Sequence, residues 1–266
     1  MWTLFDLWAR IVERYTAAKL AYRSDTLPAI SGIAKRLRDV FPEINYLAGV
    51  WKSRDMRAQV AHLAWACVQP LLRPKTYRAP SWSWASTDAG IVFDFVKKPE
   101  GRYFSVKDQY DEIKMEAEIE QLQTIYHEGQ DNTSDASSGL LVVKGSLKKV
   151  LVTHLASVPR FDFRRERLEL DLLPDEPFDD TLEKTKVFLL PFYSYINWDA
   201  DDDYPSSRWI ETYVFLMLKP ASIVPRRYTR AGLGRISKSY DGVSDSNLVF
   251  GLPGLDTGRA DRIKII

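Results

Sequence analysis

The sequence predicts an α+β protein: an N-terminal layer of about three helices, then a β-rich antiparallel domain with a sandwich or barrel-like form. Two observations lead to this prediction. Apolar residues recur at three-and-four spacing as far as residue 68, whereas a series of short strand-like segments follows residue 82. Pro70 and Pro74 separate the two patterns. We therefore divide the chain into a helical region, 1–76, and a β-rich domain, 77–266.

Three amphipathic stripes predict the helices, because their apolar residues fall on one face at helical spacing. The first covers residues 4–18 and the third covers residues 55–68. The second starts after an N-cap at Ser24-Asp25, has Pro28 in its first turn and ends before Pro42. A short apolar connector joins the second helix to the third.

The segment Arg78–Ser86 joins the helical region to the β-rich domain. Pro80 favours extended backbone around it, so this segment is predicted to enter the domain as a strand. In an extended chain, Trp82 and Trp84 point to the same face. A glycine-containing turn and an alternating apolar run follow, which together predict a β-hairpin over residues 82–96.

The rest of the chain reads mainly as strands. Alternation over residues 113–119 favours a strand, although the Glu and Gln content there also suits a helix. Residues 127–139 are predicted to form a flexible loop, and Gly145 a β-bulge. The further strands cover Leu140–Val143, Leu147–Leu155, Leu168–Leu172, Val187–Tyr195, Ile210–Leu218, Arg227–Ile236 and Arg262–Ile266.

Two of these strands, Val187–Tyr195 and Ile210–Leu218, are apolar on both faces and are therefore predicted to be central in the sheet. An acidic loop separates them. Residues 238–258 read as a glycine-rich loop before the last strand.

Composition restricts the classes of function. The chain has 266 residues, 45% of them hydrophobic, and a formal net charge of +1 from 37 basic and 36 acidic residues. This balance gives no reason to expect binding to nucleic acid or to an anionic membrane. A single cysteine excludes an internal disulfide framework, and no apolar run is long enough for a membrane span. We expect a soluble, cytoplasmic protein.

The residue types that most often perform catalysis are sparse. His62, His127 and His154 are the three histidines, and no two of them have the spacing of metal ligands. Cys67 falls on the apolar face of the third predicted helix, where packing is the simpler interpretation. We therefore predict no catalytic residue, no cofactor-binding residue and no metal ligand, and expect no cofactor. The sequence leans against an enzyme without deciding the question.

Three other patterns suggest chemistry less directly. Gly232 and Gly234 lack the third glycine and the following helix of a phosphate-binding loop, so a bulged or closely approached strand is favoured. The run Asp199–Asp203 lacks the spacing of a calcium loop. An aromatic face around Trp82 and Trp84 leaves a hydrolase or a carbohydrate-binding domain as an alternative, although aromatic core is the simpler interpretation.

Five separated motifs, taken in order, resemble the C-terminal region of fungal heterokaryon incompatibility (HET) domain proteins. They lie within residues 8–15, 25–34, 46–51, 63–65 and 77–86, and the later strands fit the β-rich tail of such proteins more loosely. The motif residues, to which we assign a structural role, are Trp8, Tyr15, Asp25, Pro28, Gly32, Gly49, Trp51, Trp65, Arg78, Pro80, Trp82 and Trp84.

The resemblance also has a clear limit. Family members begin with the HET domain proper, whose Ser-Tyr-x-Trp-Gly, Asp-x-x-Cys-Ile-x-Gln and Arg-Gly-Trp-x-x-Gln-Glu types of segment do not occur here. In intact members that domain is thought to trigger incompatibility cell death and is suspected to resemble TIR-type domains, some of which cleave NAD. No residue here can inherit that chemistry. The resemblance therefore implies a truncated member, a non-catalytic structural or interaction region whose partners are other incompatibility or cell-death proteins.

Overall fold

The computed structural model describes residues 2–18, 22–93, 113–151, 161–163, 166–177, 186–199, 208–221, 226–241 and 260–266. Three helices come first: α1 (Trp2–Ala17), α2 (Thr26–Val40) and α3 (Met56–Leu63). A large, mostly antiparallel sheet follows them. The predicted α+β class is therefore confirmed, and the strands in the described part of the chain do not close into a barrel.

Each helix begins and packs for local reasons. α1 and α2 bury single apolar stripes, with Trp8 completely buried in α1 and Leu27 in α2. The Asp55 carboxylate caps α3 by accepting hydrogen bonds from the Arg57 and Ala58 amides, at 3.0 and 3.4 Å. Gly32 lies on the exposed side of α2, and a Cβ added to it would meet no atom within 4 Å.

The third predicted helix is too long, because α3 ends at Leu63 rather than at residue 68. The next residues form a strand, β3 (Trp65–Cys67), which pairs with β4 (Ile91–Phe93) in an antiparallel two-stranded sheet. All three residues of β3 are buried. A short run that is apolar on every face suits a buried strand as well as a helix, so periodicity alone could not place this boundary.

The predicted connector at 46–51 is a β-hairpin. β1 (Asn45–Leu47) pairs with β2 (Val50–Lys52) through a two-residue turn. Both turn residues have positive φ, 45° at Ala48 and 94° at Gly49. Tight hairpins favour this backbone, because its twist matches that of the flanking strands.

Within the described residues, ten strands form the large sheet, in the order β5-β11-β12-β13-β14-β7-β6, with β8 paired to β11, β10 paired to β13 and β9 paired to β10. Only the β13–β14 pair is parallel among the described pairs. The strands are β5 (Lys114–Met115), β6 (Glu118–Tyr126), β7 (Ala136–Gly145), β8 (Lys148–Leu151), β9 (Phe161–Phe163), β10 (Glu166–Pro174), β11 (Lys186–Asp199), β12 (Arg208–Pro220), β13 (Arg227–Asp241) and β14 (Asp261–Ile265).

Most strand predictions are confirmed. β11 and β12 occupy inner positions, as their two-sided apolar character indicated. Residues 113–119 contribute to β5 and β6, so the helical alternative there is wrong. The predicted bulge near Gly232 is present: Met217 lies opposite Gly232 and Leu218 opposite Arg230, which leaves Ala231 as the extra residue.

Three details differ from the predictions. Gly145 ends β7 instead of forming a bulge. β7 begins at Ala136, so the last residues of the predicted loop 127–139 belong to a strand. β13 continues to Asp241, into the segment predicted as a glycine-rich loop. The acidic loop at 200–207, residues 94–96 and His154 lie outside the described residues.

One hydrophobic core connects the helices to the sheet. It runs from Leu4 in α1 to Ile265 in β14. Between them it includes the indoles of Trp82 and Trp84, in the segment Arg78–Ser86, which we call the junction segment. A smaller cluster around Phe215 and Met217 lies on the sheet beside it. The helical region and the β-rich domain thus share one hydrophobic core, and the junction segment lies within that core.

Candidate functional site

Five tryptophans, which we call the tryptophan seam, pack at the junction of the helices and the sheet. They are Trp8, Trp51, Trp65, Trp82 and Trp84, each with at most 1% of its surface exposed. Ring contacts extend the seam, since Trp8 lies edge-on to Trp51 at 5.7 Å between ring centroids. Large aromatic side chains bury more apolar area than any others, so this seam is a major contribution to the stability of the fold.

The junction segment is not an extended strand, and the predicted hairpin over residues 82–96 is wrong. Residues 81–83 form a turn and Trp84–Ser86 a single 3₁₀ turn, whereas β4 pairs with β3. The Ser83 hydroxyl caps the 3₁₀ turn by accepting a hydrogen bond from the Ala85 amide at 3.1 Å. Ser83 side-chain capping stabilises a compact turn that strand alternation could not predict.

Gly49 is where the first and last members of the seam meet. Its carbonyl accepts hydrogen bonds from the Trp8 indole at 2.8 Å and from the Trp84 indole at 2.7 Å. The neighbouring Ala48 carbonyl accepts a bond from the Ser83 hydroxyl. The β1–β2 turn thus satisfies two buried indole N–H groups at once, which fixes α1 against the junction segment.

The side chain of Arg78 also fixes the junction segment in place. Its buried guanidinium donates to the main-chain carbonyls of Arg23, Ala85 and Thr87, at 2.8, 2.5 and 2.6 Å. It also pairs with the Asp88 carboxylate at 2.7 Å. Because these partners come from two separate parts of the sequence, residue 23 and residues 85–88, Arg78 acts as a structural tie, and four of its five guanidinium donors are already bonded.

A second buried guanidinium belongs to Arg230 in β13. It stacks on the Trp65 ring, with 3.3 Å from the guanidinium carbon to the ring centroid, and donates to the Leu63 and Trp65 carbonyls. The Asp175 carboxylate, which is completely buried, pairs with it at 3.2 Å. Burial lowers the pKa of Arg230 and the nearby Asp175 charge opposes this shift.

Arg73 shares the same carboxylate. Its guanidinium lies 3.2 Å from Asp175, and it also donates to the Ser86 hydroxyl at 2.7 Å and to the Arg230 carbonyl at 2.8 Å. Two guanidinium groups therefore face one buried carboxylate. The cluster of Arg73, Asp175 and Arg230 carries a net positive charge in a region of low dielectric constant.

A cavity of about 620 Å³ opens beside this cluster. Its walls come from the junction segment, the chain between residues 73 and 77, β6, β7, β12 and β13, together with Glu176 after β10 and Ile266 after β14. Basic and hydroxyl side chains alternate there with apolar ones. The lining residues used below are Arg73, Tyr77, Ile125, Lys219, Arg227 and Arg230.

His62 and Cys67, the histidine and the thiol in the interior, are buried and uncharged. Burial lowers the pKa of His62 to about 3, and its ring packs edge-on against Phe5 at 4.2 Å. Burial, assisted by the Asp175 charge, raises the pKa of the Cys67 thiol to about 12. A neutral, enclosed imidazole cannot exchange protons with a substrate, and a thiol with this pKa is a poor nucleophile.

The structure brings together most of the predicted motif residues. Gly49, Arg78 and Pro80 are buried together with the seam, and Tyr15 packs at its edge with its ring 6.3 Å from that of Trp84. Asp25, Pro28 and Gly32 are exposed on or beside α2 and take no part in the seam.

Sequence reasoning missed Asp175 and Arg230 as a pair. Asp175 lies in a Pro-Asp-Glu-Pro run, which indicates only a strand end, and Arg230 lies within a predicted strand, two residues before Gly232. No local signal distinguishes Arg230 in the sequence, because Arg227, Arg235 and Lys238 are charged residues of the same strand.

In the described part of the chain, no three His, Cys, Asp or Glu side chains are grouped so that they could hold a metal ion. Among the described helices, none is long and apolar enough to cross a membrane. Comparison with protein-family models, with curated proteins and with solved structures finds no match to this chain.

Proposed function

We propose that this chain is a non-catalytic structural and interaction region of a HET-type fungal self/non-self recognition protein, located in the cytoplasm. The motifs that carry the resemblance include the five indoles of the tryptophan seam. Their burial is the observation that carries the proposal, because the motif then serves to join helices to a sheet. A catalytic motif would instead place its side chains in an open cleft.

The protonation states of the buried groups give further support. His62 is neutral and enclosed, and Cys67 is a protonated thiol between strands, so neither supplies an acid, a base or a nucleophile. The chain's contribution is therefore to hold a stable surface for other incompatibility or cell-death proteins, without binding nucleic acid or membrane.

The alternative of a hydrolase or carbohydrate-binding domain required Trp82 or Trp84 to be exposed beside carboxylates. Both indoles are 1% exposed, and the Trp84 N–H is already bonded to Gly49. A sugar cannot stack on a face that other side chains cover. Trp82 and Trp84 therefore do not form the exposed binding face that this alternative requires.

A domain-exchange experiment tests the proposal. In an intact HET-type protein expressed in a fungal host, this chain replaces the region that follows the HET domain, and partner-dependent cell death is scored. We expect death to be retained with the native chain and with Gly129→Ala, and to be lost with Gly49→Ala, which weakens the seam. The proposal fails if the purified chain alone cleaves NAD or a glycoside and one surface substitution abolishes that activity.

A further inference from the structure

We propose that the cavity beside Arg73, Lys219 and Arg227 binds a small anionic molecule, one carboxylate or phosphate group on an apolar body. This proposal is independent of the function proposed above. It rests on the charges of the cavity wall, on the free donors of Arg73 and on the apolar rim.

The cluster of Arg73, Asp175 and Arg230 beside the cavity has more positive than negative charge. Arg73 and Arg230 both pair with Asp175 at 3.2 Å, and Asp175 is fully buried. One of the two guanidinium charges is therefore uncompensated within the cluster. A charge of this kind is expensive in a region of low dielectric constant, and a bound anion would offset that cost.

Other residues of the cavity lining add a second uncompensated charge. Lys219 pairs with Glu176 at 3.7 Å, but the exposed Arg227 side chain has no ion-pair partner among the described residues. Arg78 is neutralised by Asp88. A carboxylate at the main chain of Ile266, whose carbonyl is bonded to Ser81, would still leave one positive charge in excess.

Arg73 has the donors that an anion needs. A guanidinium has five N–H groups. Three of those in Arg73 are used by Ser86, Asp175 and the Arg230 carbonyl, which leaves two without a partner in the described part of the chain. The side chain is 23% exposed and lines the cavity, so an oxyanion can reach these two donors.

Part of the cavity wall is apolar. Ile125 is 58% exposed and Tyr77 is 51% exposed, and both line the same cavity. The cavity volume of about 620 Å³ falls in the usual range for small-molecule sites, roughly 300–1,000 Å³. An anion at Arg73 and an apolar body against Ile125 and Tyr77 would match both the charged and the apolar lining, whereas one or two excess charges are too few for a polyphosphate.

Isothermal titration calorimetry of the full chain at low salt and pH 7 tests the proposal with four probes that share one tail: octanoate, octyl phosphate, octanol and octylamine. We expect octanoate or octyl phosphate, or both, to bind at least about tenfold more tightly than octanol, about 1.4 kcal/mol, and octylamine not to bind. The tighter of the two anions identifies the headgroup. Equal affinity for octanol, or no binding of either anion, overturns the proposal.

Variants then locate the site. Arg227→Gln changes an exposed side chain without a described partner, so it keeps the fold and is expected to weaken anion binding several-fold. Arg73→Gln should weaken it at least about tenfold, provided that circular dichroism shows an intact fold. Arg36→Gln, an exposed arginine on α2, is the matched control. Unchanged affinity in Arg227→Gln would refute the assignment.

Ile125→Ser tests whether the apolar tail of the ligand contacts this part of the cavity. The substitution alters an exposed rim position and leaves the charged residues unchanged. It is expected to weaken octanoate binding and to leave the preference for octanoate over octanol unchanged. If affinity for octanoate does not change, the apolar half of the proposal is wrong.

Discussion

Gly49→Ala tests the central contact of the tryptophan seam. Gly49 has a φ of +94°, and an added Cβ would lie 2.8 Å from Nε1 and 2.9 Å from Cε2 of Trp84. These distances are shorter than real Cβ contacts. The ring cannot move away freely, because its N–H is bonded to the Gly49 carbonyl, which Trp8 also uses.

The expected destabilisation has two parts. A left-handed backbone costs a non-glycine residue about 1–2 kcal/mol. Overpacking against a fixed buried ring adds about 1–3 kcal/mol. Together they lower the free energy of unfolding by about 2–5 kcal/mol, a large share of the 5–15 kcal/mol typical of a domain.

Urea unfolding, monitored by circular dichroism and tryptophan fluorescence, measures this decrease in the free energy of unfolding. Gly129→Ala is the matched control, since Gly129 has a φ of +79° but nothing within 4 Å of an added Cβ. Gly129→Ala should therefore lower the free energy of unfolding only by the cost of the left-handed backbone, about 1–2 kcal/mol. If Gly49→Ala costs no more than Gly129→Ala, the close contact with Trp84 does not restrain the seam.

Four further predictions follow from buried groups. Trp84→Ala should lower the free energy of unfolding by about 3–5 kcal/mol in a denaturant titration, and a loss below about 1 kcal/mol would contradict its place in the core. Asp175→Asn removes the buried partner of Arg230 and should cost about 3–5 kcal/mol. Because the pKa of His62 is about 3 when folded and about 6.5 when unfolded, stability should fall as pH falls from about 6.5 towards 3, by at most about 1.4 kcal/mol per unit. His62→Leu should flatten this part of the stability–pH curve, and an unchanged slope would refute the assignment. The Cys67 thiol should react with an alkylating reagent at pH 8 only after denaturation, so rapid labelling of the native chain would contradict its raised pKa.

Several elements could be predicted from the sequence because their causes are local. The apolar stripe of α1, the two-sided apolar character of β11 and β12 and the bulge at Gly232 each depend on residues within a few positions of one another. Where a pattern suited two structures, the outcome depended on distant partners. Cys67 continues a helical stripe in the sequence, but the segment Trp65–Cys67 forms a strand that pairs with β4, more than twenty residues later.

The candidate site could be predicted only in part. The sequence indicated that Trp82 and Trp84 belong to a structural junction, and it identified Gly49 and Arg78 among the motif residues. It did not indicate the cavity, because its walls come from segments between residues 73 and 266 that only the folded sheet brings together. Nor did it pair Asp175 with Arg230, whose contact spans 55 positions.

The sequence by itself determined the order of helices before strands, the aromatic character of the junction and the absence of an evident catalytic motif, since all three can be read from neighbouring residues. Tertiary structure decided how the junction folds. Trp84 turns into a 3₁₀ segment because the Gly49 carbonyl, 35 residues away, accepts its N–H, and Arg230 is tolerated in the core because Trp65 and Asp175 surround it. Such contacts depend on long-range packing, which local periodicity does not contain.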